Sequence, residues 1–252
     1  MDEITSYYAL LAAFAFLSVV IFVALLFFQA PYGRFVRKGF GPILSDRFAW
    51  VIMELPAPTL MAYWFWTGKN QGIVETVFFL AFELHYILRT FIYPFAVRRS
   101  GKKTPLGVAL MGFAFNCVNS YLIGRYVFHF APENSPDTLF TPHFIAGAIL
   151  FVAGMAINWH SDILLSRSAK QAQGEYVIPK GGLFLLVTKA NYFGECLEWL
   201  GFAIMTWALP ALVFALWTFA NLAPRALHIH RYYLANFKDY PRNRKALIPF
   251  LF

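Results

Sequence analysis

Between Asn191 and Trp199 the chain reads NYFGECLEW, with polar side chains set inside an apolar run that extends from Leu183 to Leu222. Asn191, Glu195 and Glu198 are spaced by four and three residues, which puts them on one face of a helix. The run is about twice the 20 or so residues that a helix needs to cross a hydrocarbon core of about 30 Å, so it has to turn back on itself. Pro210 is the residue that divides it. A carboxylate at membrane depth costs roughly 2.5 to 3.5 kcal/mol on insertion scales, and such groups face a partner, a wet cavity or a ligand. The stripe therefore marks a site as well as a fold.

Composition supports the membrane reading. Of 252 residues, 59% are hydrophobic, 19% aromatic and only 13% charged, and the mean hydropathy is +0.55, far above an ordinary soluble domain. Five further apolar runs follow the same logic: Tyr7 to Phe28, about Trp50 to Trp66, Ile73 to Phe95, Leu106 to Phe130 and His143 to Leu165. Together with the divided run they predict an all-α, polytopic membrane protein of seven transmembrane helices, forming one domain over residues 1–252. MDEITS lacks the basic start of a cleaved signal, so the first run is expected to stay as a helix. Cys117 and Cys196 give neither a disulfide framework nor a zinc pattern.

The net charge of +8 is carried in short clusters between apolar runs, which sets membrane orientation and argues against nucleic-acid binding. Arg34, Arg37, Lys38 and Arg47 follow the first run, Arg98, Arg99, Lys102 and Lys103 the third, and Arg167, Lys170 and Lys180 the fifth; the tail is basic throughout. The loops between carry Lys69 or the acids Glu133 and Asp137. This strict alternation predicts the N-terminus outside and the C-terminus in the cytoplasm.

Polar stripes recur toward the cytoplasmic parts of several helices. Glu54 lies in ELPAP, where Pro56 and Pro58 kink a helix and free backbone groups. Tyr86, Arg89 and Tyr93 repeat at three and four, and a buried carboxylate facing a phenol can accept from, orient and polarise it. Asn158 and Asp162 form a third stripe and Arg225, His228 and Tyr232 a fourth. Arg89, Arg98, Arg167, Lys170 and Arg225 exceed the carboxylates available to pair with them, which suits a phosphorylated ligand. His228 and His230 fall on different helix faces, so no shared metal is expected. Without a GxGxxG after a strand, a nucleotide here would be held by helices and loops.

Five ordered motifs carry a family resemblance: HYILRTFIYP (85–94), NWHSD (158–162), IPKGGLF (178–184), ANYFGECLEW (190–199) and HRYYLANFKDYPRNRKALIPFLF (230–252). Together they resemble the steroid 5α-reductases. The resemblance implies NADPH taken from the cytoplasmic side, with most of its site in residues from about 158 to 252, and a 3-oxo-Δ4-steroid entering from the bilayer. It implies Glu54 and Tyr86 at the C3 carbonyl, with hydride delivered to C5. The cofactor contacts it implies are Arg89, Tyr93, Asn158, Asp162, Asn191, Glu195, Arg225, His228 and Tyr233, with Arg98, Arg167 and Lys170 as phosphate candidates. The chain departs from relatives at Met53, Val97 and Ile229. Alternatives in the same fold are reductases of polyprenols or enoyl-CoAs. Another class is membrane methyltransferases using S-adenosylmethionine, which have no need of Glu54 with Tyr86.

Overall fold

The computed structural model describes residues 2–28, 40–97, 103–171 and 178–252. Its helices are α1 (Glu3–Phe27), α2 (Asp46–Glu54), α3 (Pro56–Thr67), α4 (Ile73–Ile87), α5 (Tyr93–Ala96), α6 (Leu106–Arg125), α7 (Pro142–Gln171), α8 (Ala190–Thr206) and α9 (Leu209–Asn236). Strands β1 (Ile43–Ser45) and β2 (Lys103–Pro105) pair antiparallel and form the one sheet among the described residues. The protein is all-α, and five helical stretches are long and apolar enough to cross a membrane: Glu3–Phe27, Ile73–Ala96, Leu106–Phe130, Pro142–Ser168 and Leu209–Asn236.

The other two expected crossings are built differently. The stretch expected at 50–66 is two helices meeting at Leu55, because Pro56 and Pro58 have no N–H for the carbonyls one turn back. The Met53 carbonyl beside this break accepts from Asn116 Nδ2 at 2.8 Å. The run from Leu183 starts as a short 3-10 turn, Gly182–Leu185, and becomes α-helical only at Ala190. Trp207, in the left-handed region (φ 50), ends α8, and Pro210 sits in the first turn of α9, where its missing N–H costs nothing.

α4 does not end at Ile87. It runs through a π turn, Leu88–Ile92, into α5, with the Tyr93 N–H bonding back to the Leu88 carbonyl. Pro94 removes a donor from this turn, and the widened ladder accommodates the loss. α7 and α8 touch backbone to backbone. A Cβ added at Gly154 would lie 2.3 Å from the Glu198 nitrogen, and one at Gly201 2.3 Å from the Phe151 nitrogen. Gly147 and Gly194 complete this seam, so only glycines at a seven-residue repeat on both helices permit it.

Trp199 is the centre of the core, packed on Phe82 (5.7 Å between ring centroids), Tyr86 (5.7 Å), Phe202 (5.7 Å) and Phe214 (4.5 Å). α1 is exposed along most of its length. It is fastened by Tyr7, whose hydroxyl donates to the Leu122 carbonyl (2.6 Å), and by the Phe14 carbonyl, which accepts from Trp217 Nε1 (2.8 Å). The tail folds back on the segment before α8: the N–H of Thr188 donates to the Lys245 carbonyl (2.8 Å) and that of Lys245 to the Leu186 carbonyl (2.9 Å).

Candidate active site

Two polar clusters share α4. The first joins α2, α4 and α6. Glu54, at the end of α2, and Tyr86, on the buried face of α4, meet through Asn116 of α6. The Tyr86 hydroxyl donates to Asn116 Oδ1 (3.4 Å), and Asn116 Nδ2 donates to Glu54 Oε2 (3.1 Å). The ring of Tyr86 rests on Phe82 (4.5 Å) and Trp199, so the hydroxyl is the polar tip of an otherwise apolar wall. All three residues are buried.

The second cluster starts one helical turn later, at Arg89 in the π turn. Its guanidinium lies 3.4 Å from Glu195 and 3.9 Å from Asp162. It also stacks over Trp50 (4.8 Å) and Tyr93 (5.1 Å), while Trp50 Nε1 donates to the Arg89 carbonyl (2.9 Å). Behind it the glycine seam brings α7 against α8. Asn191 Nδ2 donates to Asp162 Oδ1 (2.8 Å), and Asn158 Nδ2 donates to the Asn191 carbonyl (2.9 Å) and, at 3.4 Å, to Glu195. His85, Arg89, Tyr93, Asn158 and Trp159 line a small cavity here. Asn191, bonded to Asp162 and Asn158 beside this cavity's Asn158 wall, has a buried Oδ1 with no hydrogen-bond partner among the described residues.

Further along α8 and α9, Tyr192 is flanked by two cations, with Lys189 Nζ 4.1 Å and Arg225 Cζ 5.2 Å from its ring centre. Arg225 also donates to Asn221 (3.3 Å). His228 points elsewhere: its Nε2–H donates to the Leu25 carbonyl of α1 (2.8 Å). Tyr233 is buried against Phe237 and Tyr240. Arg167 is exposed on α7, while Arg98 and the side chain of Lys170 lie outside the described residues.

The structure also brings forward residues that spacing along one helix could not reveal. Asn116 is one. His85 is another, as the partner of Glu198 from the first stripe: His85 Nδ1 lies 2.7 Å from Glu198 Oε1, both are buried, and the pair ties α4 to α8 beside Trp199. Lys189 is a third. In the tail, Thr188 Oγ1 meets His230 Nδ1 and the Tyr240 hydroxyl, each at 2.7 Å, and burial holds the Tyr240 phenol above its ordinary pKa. Arg244, also buried, donates to the Pro179 carbonyl (3.1 Å).

The family pattern described as 3-oxo-5-alpha-steroid 4-dehydrogenase matches residues 102–252. A steroid 5-alpha-reductase of Gossypium hirsutum is 41% identical over 256 residues, covering 100% of this chain and 99% of the relative. The 3-oxo-5-alpha-steroid 4-dehydrogenase 1 of Mus musculus is 39% identical over 254 residues, covering 100% and 99%. The Homo sapiens protein of the same name is 39% identical over 227 residues, covering 89% and 87%.

Proposed function

The chain belongs to the steroid 5α-reductase family, and from that premise we propose that it reduces the Δ4 double bond of a 3-oxo-Δ4-steroid to the 5α product, using NADPH. The observation that carries this reading is the sharing of one continuous helical stretch, α4 and its π turn, by a buried phenol, Tyr86, and a half-buried cation, Arg89, three residues apart. A ketone held at the first stands one helical turn from the polar cluster of the second.

The residues present fit the cofactor. Asn191 Oδ1, buried and without a partner among the described residues, suits the N–H₂ of a nicotinamide carboxamide. Asn158, Asp162 and Glu195 fix that asparagine and Arg89 in place, while Lys189 and Arg225 are candidate phosphate contacts. Bound NADPH would supply the hydride that C5 accepts, and a proton taken up at C4 from solvent would complete the saturated ketone. Tyr86 donates its hydroxyl proton as a hydrogen bond to the C3 oxygen, where negative charge accumulates as C5 is reduced. A donor already oriented there stabilises the transition state more than the ground state. Glu54 anchors the donor through Asn116, and the aromatic wall of Phe82 and Trp199 keeps water from the same oxygen.

The seven-crossing topology belongs to the same proposal. The kinked α2–α3 pair and the 17-residue α8 complete the bundle begun by the five longer stretches. The charge alternation puts the N-terminus outside, so that Arg89, Asp162 and Asn191 lie toward the cytoplasm. The test is turnover by the purified protein in detergent with NADPH deuterated at the transferable position. The reading requires deuterium at C5 of a 5α-steroid. Reduction of a polyprenol or an enoyl-CoA with no 3-oxo-Δ4-steroid reduced would replace it.

A further inference from the structure

We propose that Asn116 is a positioning residue that holds the Tyr86 proton in a weak hydrogen bond and keeps it off the Glu54 carboxyl until a ketone arrives. This rests on the assignment of Tyr86 as the ketone's donor. The amide can face only one way. Its two N–H bonds go to Met53 O (2.8 Å) and Glu54 Oε2 (3.1 Å). Turning it over would set its oxygen against the Met53 carbonyl, which can only accept. The amide oxygen is therefore fixed toward Tyr86, and the phenol donates to it at 3.4 Å, close to the outer limit for a hydrogen bond. Gly112, one turn earlier on α6, supports the arrangement, since a Cβ there would lie 2.1 Å from Met53 Cγ.

A long bond to a neutral amide is cheap to give up. A phenol bonded directly to a carboxylate would be held by a shorter, charge-assisted bond of roughly twice the strength. With Asn116 between them, the ketone competes against the weak acceptor, and the oxygen that charges up in the transition state wins by more. The helix break makes this possible: Pro56 and Pro58 kink the chain beside Met53, and the Met53 carbonyl next to that kink is what locks the amide.

Two variants test the idea, with Tyr86→Phe run beside them. Asn116→Leu keeps the volume and removes both functions. It should lower kcat at least about tenfold while the NADPH Kd, read from nicotinamide fluorescence, stays within about twofold of wild type. Asn116→Asp keeps an acceptor toward Tyr86 but sets an oxygen against Met53 O and Glu54, so it needs a proton to be tolerated. Its kcat should fall about tenfold or more between about pH 6 and about pH 8.5, relative to wild type. The proposal is overturned if Asn116→Leu keeps kcat within about twofold, if it loses NADPH binding in step with kcat, or if Asn116→Asp follows the wild-type pH profile. If Tyr86→Phe itself turns over normally, the assignment of Tyr86 fails instead.

Discussion

Gly194 of α8 faces Gly154 of α7 so closely that a Cβ on the first would lie 2.7 Å from the carbonyl oxygen of the second and 2.5 Å from the Asn158 nitrogen. The clash is with backbone, so an alanine there must push the helices apart, at a cost of about 1–3 kcal/mol. It would also move Asn158 away from Asn191 and Glu195. Gly194→Ala should lower both the Tm and the affinity for NADPH. Gly147→Ala meets Met205 at the other end of the seam and should lower the Tm by a similar amount with a smaller effect on NADPH. Thermal unfolding and nicotinamide fluorescence on the two variants separate these outcomes.

Tyr86→Phe removes one hydroxyl and keeps the ring against Phe82 and Trp199. The packing should survive, and the Tm should change by less than the roughly 2–4 °C that about 1 kcal/mol makes in a chain of this size. Turnover of a 3-oxo-Δ4-steroid should fall roughly 100- to 1,000-fold, the usual loss for one oxyanion donor, with NADPH affinity unchanged. Steady-state kinetics with a direct NADPH titration checks both halves.

Glu195→Ala should act on the other cluster. Glu195 bonds Arg89 at 3.4 Å and accepts from Asn158 at 3.4 Å, so its loss leaves Arg89 with Asp162 at 3.9 Å and frees both the guanidinium and the amide to reorient. The expected result is a rise in the NADPH Kd of at least about tenfold, with a much smaller change in the steroid's KM. A normal nicotinamide titration in this variant would remove Glu195 from the cofactor site.

Much of this architecture could be read along the chain, because a bilayer crossing is a length of apolar sequence. The run expected over Leu106 to Phe130 is the helical stretch found there, bounded by Pro105 and by the polar loop after it. Asp162, Asn191, Glu195 and Arg89 were legible as two carboxylates, an amide and a cation at helical spacing, and they do converge. What stayed hidden depends on which helix lies beside which. Asn116 is 62 residues from Glu54 and 30 from Tyr86, and although Asn119 and Ser120 follow it at helical spacing on α6, that spacing names neither partner. His228 looked like its neighbours in the fourth stripe, yet it bonds the carbonyl of Leu25, 203 residues away. The π turn at Leu88–Ile92 had one readable signal, Pro94, and the α7–α8 seam had another in its glycines seven residues apart.

His85 and Glu198 offer the sharpest test of how α4 is held against α8. Both are buried, and their side chains meet at 2.7 Å beside Trp199. Glu198 Oε2 has no hydrogen-bond partner among the described residues, so the His85 contact is what compensates this carboxylate. Removing one member of such a pair strands the other, at about 3–5 kcal/mol, whereas replacing both with apolar side chains of similar size is often neutral or better. Glu198→Leu and His85→Leu should each lower the Tm strongly, Glu198→Gln less because its amide oxygen still accepts from Nδ1–H, and the double leucine variant should regain most of the loss. If the two single losses simply add in the double variant, the pair does not act as a unit, and the register of α4 on α8 is set by Trp199 and its aromatic neighbours instead.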